Sequence, residues 1–143
     1  TYSGFGNGVT VNLATGVATD GGGGIDTLSG IENVIGTNAD DTITGNGADN
    51  VFTGNDGSDR FILGEGGGND TVLGGAGGGW TDTIQLTNTD ASSVCAGWTV
   101  TLTTGSEVSD DGSTMTLTDD AAGTITLEDG SQIAFEGIEN IQY

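Results

Sequence analysis

Histidine, proline and lysine are absent from this chain, cysteine occurs once, and the only basic side chain is Arg60. Each absence removes a class of function. Against that one arginine stand 21 acidic residues, for a formal charge of −20. Nothing here can neutralise phosphates, so nucleic acid is excluded as a partner. Anionic membrane surfaces are disfavoured on the same ground, and cations are favoured. Without histidine or lysine the usual general bases are missing, and the lone Cys95 lacks a base. Paired carboxylates can hydrolyse glycosides, yet among 21 acids any one pair is uninformative. No enzymatic activity is expected. Cys95 has no partner for an internal disulfide and reads as a small packed residue. No signal peptide or apolar run of membrane length occurs, so no membrane insertion is expected. The chain opens on Thr1 rather than methionine, as a fragment or processed product would.

Only 33% of residues are hydrophobic and 6% aromatic. Low hydrophobicity with high charge usually marks disorder. A disordered chain needs no regular spacing of Val, Ile, Leu and Phe, and this chain has one. Glycine marks its organisation: of 29 glycines, 23 precede residue 80. Residues 1–20 hold an alternating run, Val9 to Leu13, that predicts a first strand or coil. Residues 21–86 hold the repeats. Residues 87–143 hold short alternating runs around Trp98–Leu102, Met115–Leu117, Ile125–Leu127, Ile133–Phe135 and Ile138–Ile141, with Asp129-Gly130 as a hairpin turn.

The fullest repeat is Gly21-Gly22-Gly23-Gly24-Ile25-Asp26-Thr27-Leu28-Ser29, which fits GGxGxDxUx with U a large apolar residue. Aligned on the acidic position, the turns fall at Asp26, Asp41, Asn50, Asp59, Asp70 and Asp82. The residue two places on is Leu28, Ile43, Phe52, Phe61, Val72 and Ile84. Glycine serves these turns because it adopts positive φ at little steric cost and lets carbonyl oxygens converge. If successive turns alternate sides, Asp41, Asp59 and Asp82 form one column and Asp26, Asn50 and Asp70 the other. A column of carboxylates repels itself unless a cation sits in it. Calcium takes six to eight oxygens at about 2.3–2.6 Å, which turn carbonyls and stacked aspartates can supply.

Residues 21–86 resemble the repeats-in-toxin (RTX, haemolysin-type) family, whose repeats form a calcium-binding parallel β-helix. The segments Asp26–Val34 and Asp41–Gly45 carry the likeness. The resemblance implies an all-β fold: a parallel β-roll or β-helix solenoid, with residues 87–143 as a β-rich C-terminal cap or continuation. It implies a secreted, extracellular or cell-surface module that binds Ca2+ and folds on binding it. The metal ligands would come from Gly21, Gly22, Gly24, Asp26, Asp41, Asp59, Asp70 and Asp82. Asn50 brings no charge to its position.

Two echoes join the flanks. Val9–Gly16 resembles Trp98–Gly105, and Gly30-Ile31-Glu32-Asn33 recurs as Gly137-Ile138-Glu139-Asn140. Similar end strands support an alternative reading: a self-assembling subunit of a surface layer, adhesin or filament, stacking head to tail on itself or meeting other cell-surface components. The threonine rows Thr99–Thr103 and Thr114–Thr118 follow from β-propensity, although a flat threonine face also suits ice or a glycan. Asp110-Asp111, Asp119-Asp120 and Glu128-Asp129 read as solvated turns, and Trp80 and Trp98 as packing residues.

Overall fold

Alternating apolar and threonine residues, broken every few positions by glycine, leave no segment with helical spacing. The computed structural model describes residues 1–75, 78–87, 98–119 and 121–143. Cys95 and Asp120 fall outside them. All regular structure among the described residues is strand, so no helix there is long and apolar enough to cross a membrane.

The strands make two mixed sheets. The first runs, in spatial order, β11 (Glu107–Asp110), β12 (Thr114–Leu117), β15 (Asn140–Gln142), β9 (Thr83–Thr87), β7 (Arg60–Gly64), β5 (Thr42–Thr44), β1 (Thr10–Asn12), β2 (Val17–Thr19) and β3 (Ile25–Thr27). The second runs β10 (Thr99–Thr104), β13 (Ala122–Thr126), β14 (Gln132–Glu136), β8 (Asp70–Leu73), β6 (Val51–Thr53) and β4 (Asn33–Ile35). From β4 to β9 the chain changes sheet after every strand. The middle of each sheet is parallel: β1, β5, β7, β9 and β15 in the first, and β4, β6, β8 and β14 in the second. The flanks are antiparallel, except that β4 ends the second sheet in parallel pairing with β6.

Parallel pairing stacks each repeat's apolar residue on the next. Val11, Ile43, Phe61, Ile84 and Ile141 are partners in register along the first sheet, and each is fully buried. Val34, Phe52, Val72 and Phe135 make the matching file of the second sheet. The Phe52 and Phe61 rings stack between the sheets, with centroids 6.4 Å apart and planes 11° from parallel. Burying one such side chain contributes about 1.5–3 kcal/mol, and these two files form the spine of the core.

The C-terminal stretch both extends the parallel rows and folds back over them. β14 and β15 continue them. β13 and β14 form the hairpin across Asp129-Gly130, with Ile125 opposite Ile133 and Gly130 at φ +87°. Trp98 packs its ring on Tyr143, with centroids 4.8 Å apart. The Val9–Gly16 and Trp98–Gly105 segments are not equivalent in the fold. Each ends on a glycine of positive φ, but β1 ends a parallel row within its sheet and β10 lies on an antiparallel edge.

The fullest repeat is not part of the parallel stack. Asp20 accepts the N–H groups of Gly22 and Gly24 at 2.8 Å each, which closes residues 20–24 as a tight turn between β2 and β3. The two strands pair antiparallel, Ala18 opposite Asp26. β3 is exposed along its length, and Ile25 is 75% exposed. A local carboxylate has claimed the glycine turn before any neighbouring turn can stack on it.

Candidate metal centre

Asp41, Asp59 and Asp82 each stand just before a parallel strand of the first sheet, so the pairing of those strands stacks them. Asp41, Asp59 and Asp82 thereby form one column, and each is buried. Glu139, at the end of the turn into β15, continues the column and is buried too. Turns 45–50 and 64–70 stack in the same way on the second sheet and bring Asn50 beside Asp70. Asp26, aligned with them by spacing, lies instead on exposed β3, where its Oδ2 accepts the Tyr2 hydroxyl at 3.4 Å. Gly21 offers its carbonyl to Asn7 Nδ2 at 2.9 Å, while Gly22 and Gly24 serve the Asp20 turn. None of these four residues joins either column.

Hydrogen bonds bind each column from rung to rung. The Val9 N–H donates to Asp41 Oδ1 (2.7 Å), Asp41 N–H to Asp59 Oδ1 (2.8 Å), Asp59 N–H to Asp82 Oδ1 (2.8 Å) and Asp82 N–H to Glu139 Oε2 (2.7 Å). On the other side Asn50 N–H donates to Asp70 Oδ1 (2.9 Å). One residue earlier the direction reverses: Ser58 N–H donates back to Asp40 Oδ1 and Asn69 N–H to Asp49 Oδ1, both at 2.8 Å. Successive N–H groups of a strand point to opposite neighbours, so an acid on each of two adjacent residues caps both directions. Buried N–H groups require such partners.

The second carboxylate oxygen separates the turns. At Asp41 it accepts the Thr37 N–H at 2.6 Å, while Oδ1 also takes the Thr37 hydroxyl at 3.0 Å. The carbonyls of Gly36 and Thr37 are held by Asn55 Nδ2 at 3.2 and 3.1 Å. Asn50 closes on Asn46, taking its N–H at 3.0 Å and giving Nδ2 to its Oδ1 at 3.2 Å. At Asp59 the Oδ2 atom is buried with no hydrogen-bond partner. Glycine keeps the space beside it clear: a Cβ on Gly54 would lie 2.0 Å from Asp59 Oδ2 and 2.6 Å from the Gly74 carbonyl oxygen. Gly36 and Gly74 hold the corresponding spaces beside Asp41 and Asp82.

Electrostatics mark the same residues. Burial pushes Asp59 up to about 7, the backbone N–H of Asp41 opposing and the charges of Asp82, Asp41 and Asp40 adding to it. Burial likewise raises Asp70 and Asp82 to about 6, each opposed by one backbone N–H. Glu139 is raised by burial, with Asp82 and Asp119 adding. A buried carboxylate without enough donors must take up a proton or a cation.

Among the described residues no three acidic, histidine or cysteine side chains converge tightly enough to hold an ion alone. Any ion here would draw on carbonyl oxygens as well. The bare Asp59 Oδ2 beside the Gly74 carbonyl supplies that mixture. It contains only oxygen, which suits a hard cation such as calcium and not zinc, which favours nitrogen and sulfur. The residues fit. Glu139 was missed by the turn spacing; its signal was the recurrence of Gly-Ile-Glu-Asn. Glu139, Asp119, Asp82 and Trp80 line a cavity of about 140 Å³. Protein-family models and curated proteins were both compared with the chain, and none matches.

Proposed function

We propose that this chain is an extracellular calcium-binding module: a parallel β-roll that stays unfolded during export and folds when Ca2+ enters its turns. The supporting observation is Asp59 Oδ2, a buried, partnerless carboxylate oxygen held open by a glycine against a backbone carbonyl. Sheet-changing strands in parallel register support the roll. Asp59, Asp82 and Asp70 hold the ions, with turn carbonyls completing the oxygen set. Bound calcium supplies positive charge between stacked turns. It removes the penalty of burying these carboxylates, and binding to the folded state alone stabilises it by about 2.7 kcal/mol at 100 times the dissociation constant. The role is binding and structural rather than catalytic.

The test is far-ultraviolet circular dichroism with millimolar calcium and with chelator. Strand signal in calcium and its loss in chelator are expected. Identical spectra, with no heat of calcium binding by calorimetry, would rule the reading out. A second reading, self-assembly into a surface layer or filament, draws on the unpaired outer edge of β4. The charge of −20 opposes like-with-like stacking.

A further inference from the structure

The motif Gly-Ile-Glu-Asn occurs twice, and the structure shows what covers one copy. At Gly137-Ile138-Glu139-Asn140 the preceding strand lies alongside. Asp82 donates its N–H to Glu139 Oε2 at 2.7 Å and accepts the Asn140 N–H on its carbonyl at 3.0 Å. That one residue engages both groups of the motif, and Ile138 is fully buried.

At Gly30-Ile31-Glu32-Asn33 the same neighbour is missing. β4 ends its sheet. The Glu32 carbonyl accepts the Val51 N–H and the Gly36 N–H donates to the Thr53 carbonyl, both toward β6. Backbone groups alternate along a parallel strand, so Asn33 and Ile35 point outward. Tyr2 N–H reaches the Ile35 carbonyl at 2.8 Å. Ile31 is 40% exposed and the Glu32 side chain is exposed. Beside this edge lies a groove of about 270 Å³ lined by Tyr2, Val11, Leu28, Ile31 and Val34, with Asp26 and Asn33 at its polar side. At the corresponding end of the first sheet β2 and β3 continue beyond β1.

We propose that Gly30–Asn33 is a docking notch for one extended strand of another polypeptide built like the repeat itself: a glycine-rich turn, then Asp, then an apolar residue two places on. Its acidic-position residue sets its N–H on the Glu32 carboxylate and its carbonyl on the Asn33 N–H, as Asp82 does at the other copy. The apolar residue enters the groove over Ile31 and Val34. Strand addition to an open edge joins backbone pairing for affinity to side-chain pockets for selectivity. A second copy of this chain is the poorer occupant. Its strands β5 to β9 are already paired on both sides, and two chains of charge −20 repel.

The experiment titrates the full-length 15N-labelled chain, in saturating calcium, with a synthetic peptide reproducing residues 78–87, the segment that covers Glu139. Saturable shifts confined to Glu32–Ile35 and the groove, with new exchange protection of the Asn33 and Ile35 amides, are expected. Ile31→Asp is expected to weaken binding about tenfold or more and Glu32→Gln several-fold, as loss of a charged acceptor for a buried N–H does. Val108→Asp, on β11, leaves binding unchanged. Near-ultraviolet circular dichroism verifies that each variant is folded. Absence of saturable shifts, shifts centred on β9 and β15, or equal binding by Ile31→Asp would overturn the proposal. So would self-association through β4 in the absence of peptide, seen by light scattering.

Discussion

Residues 21–29 and residues 54–61 are two versions of one turn. The first matches the repeat pattern at every glycine, and the second carries Asn55 where a stricter copy has glycine. Yet the second sits in the column with its aspartate buried, while the first makes an exposed hairpin with Asp26 in solvent. Glycine content therefore measures how easily a turn forms, not whether it stacks. Stacking requires a parallel strand on each side, and turn 54–59 has β5 and β9 beside β7. Turn 20–24 has instead Asp20, two to four residues from the amides it accepts.

The comparison is broken most forcefully in the core. Phe61→Ala should cost about 3–5 kcal/mol, because its ring is fully buried between Ile43 and Ile84. Leu28→Ala, at the same repeat position but half-buried, should cost well under half of that. Urea denaturation in saturating calcium measures both. Equal losses would show that residues 21–29 are packed as the others are.

Gly54→Ala should cost about 3 kcal/mol, the upper end for overpacking, since its methyl would collide with Asp59 Oδ2 and the Gly74 carbonyl. Gly23→Ala meets open space but requires φ +86°, a strain of about 1 kcal/mol. Thermal unfolding in calcium gives the ranking, and a reversed order would place the crowded turn elsewhere.

Asp59→Asn sharpens the comparison by changing sign with conditions. In calcium it should lower affinity about tenfold, a loss of about 1.4 kcal/mol. In chelator it should stabilise the chain, because it removes a buried charge. Asp26→Asn should do neither. Calorimetry in calcium and strand signal by circular dichroism in chelator read the two arms, and a loss in both would mean that Asp59 is merely structural.

The last comparison is that of pH on the ion-free chain. Asp59 is raised to about 7, and Asp70 and Asp82 to about 6. Between about pH 4 and 7 the folded state thus holds protons that the unfolded chain has released. Stability contributed by these groups is full below the unfolded value and is lost as pH rises through the folded one. In chelator the chain should show more strand signal by circular dichroism at pH 5 than at pH 7.5, and Asp59→Asn should reduce the difference. A chain that gains stability toward neutral pH would contradict this assignment of charge.

Much of this was legible in the residues. The apolar residue two places after each turn is buried at five of six positions, because a two-residue side-chain period is a local property that survives any packing. Asp41, Asp59 and Asp82 stack as their alternation predicts. Asp26 does not, because Asp20 captures the intervening turn. Glu139 joins the column although its turn is short and lacks aspartate, because β15 pairs with β9 whatever the length of the excursion between them.

By itself the sequence determined an all-β chain with inward files of apolar residues and turns rich in glycine and acid, since all of these follow from residue types at short spacing. Only the tertiary structure decided which carboxylate is left wanting. Thr37 satisfies Asp41 and Asn55 occupies the carbonyls beside it, whereas nothing reaches Asp59 Oδ2. Whether a buried oxygen finds a donor depends on what the neighbouring turns bring to it, and that is fixed only when the strands have paired.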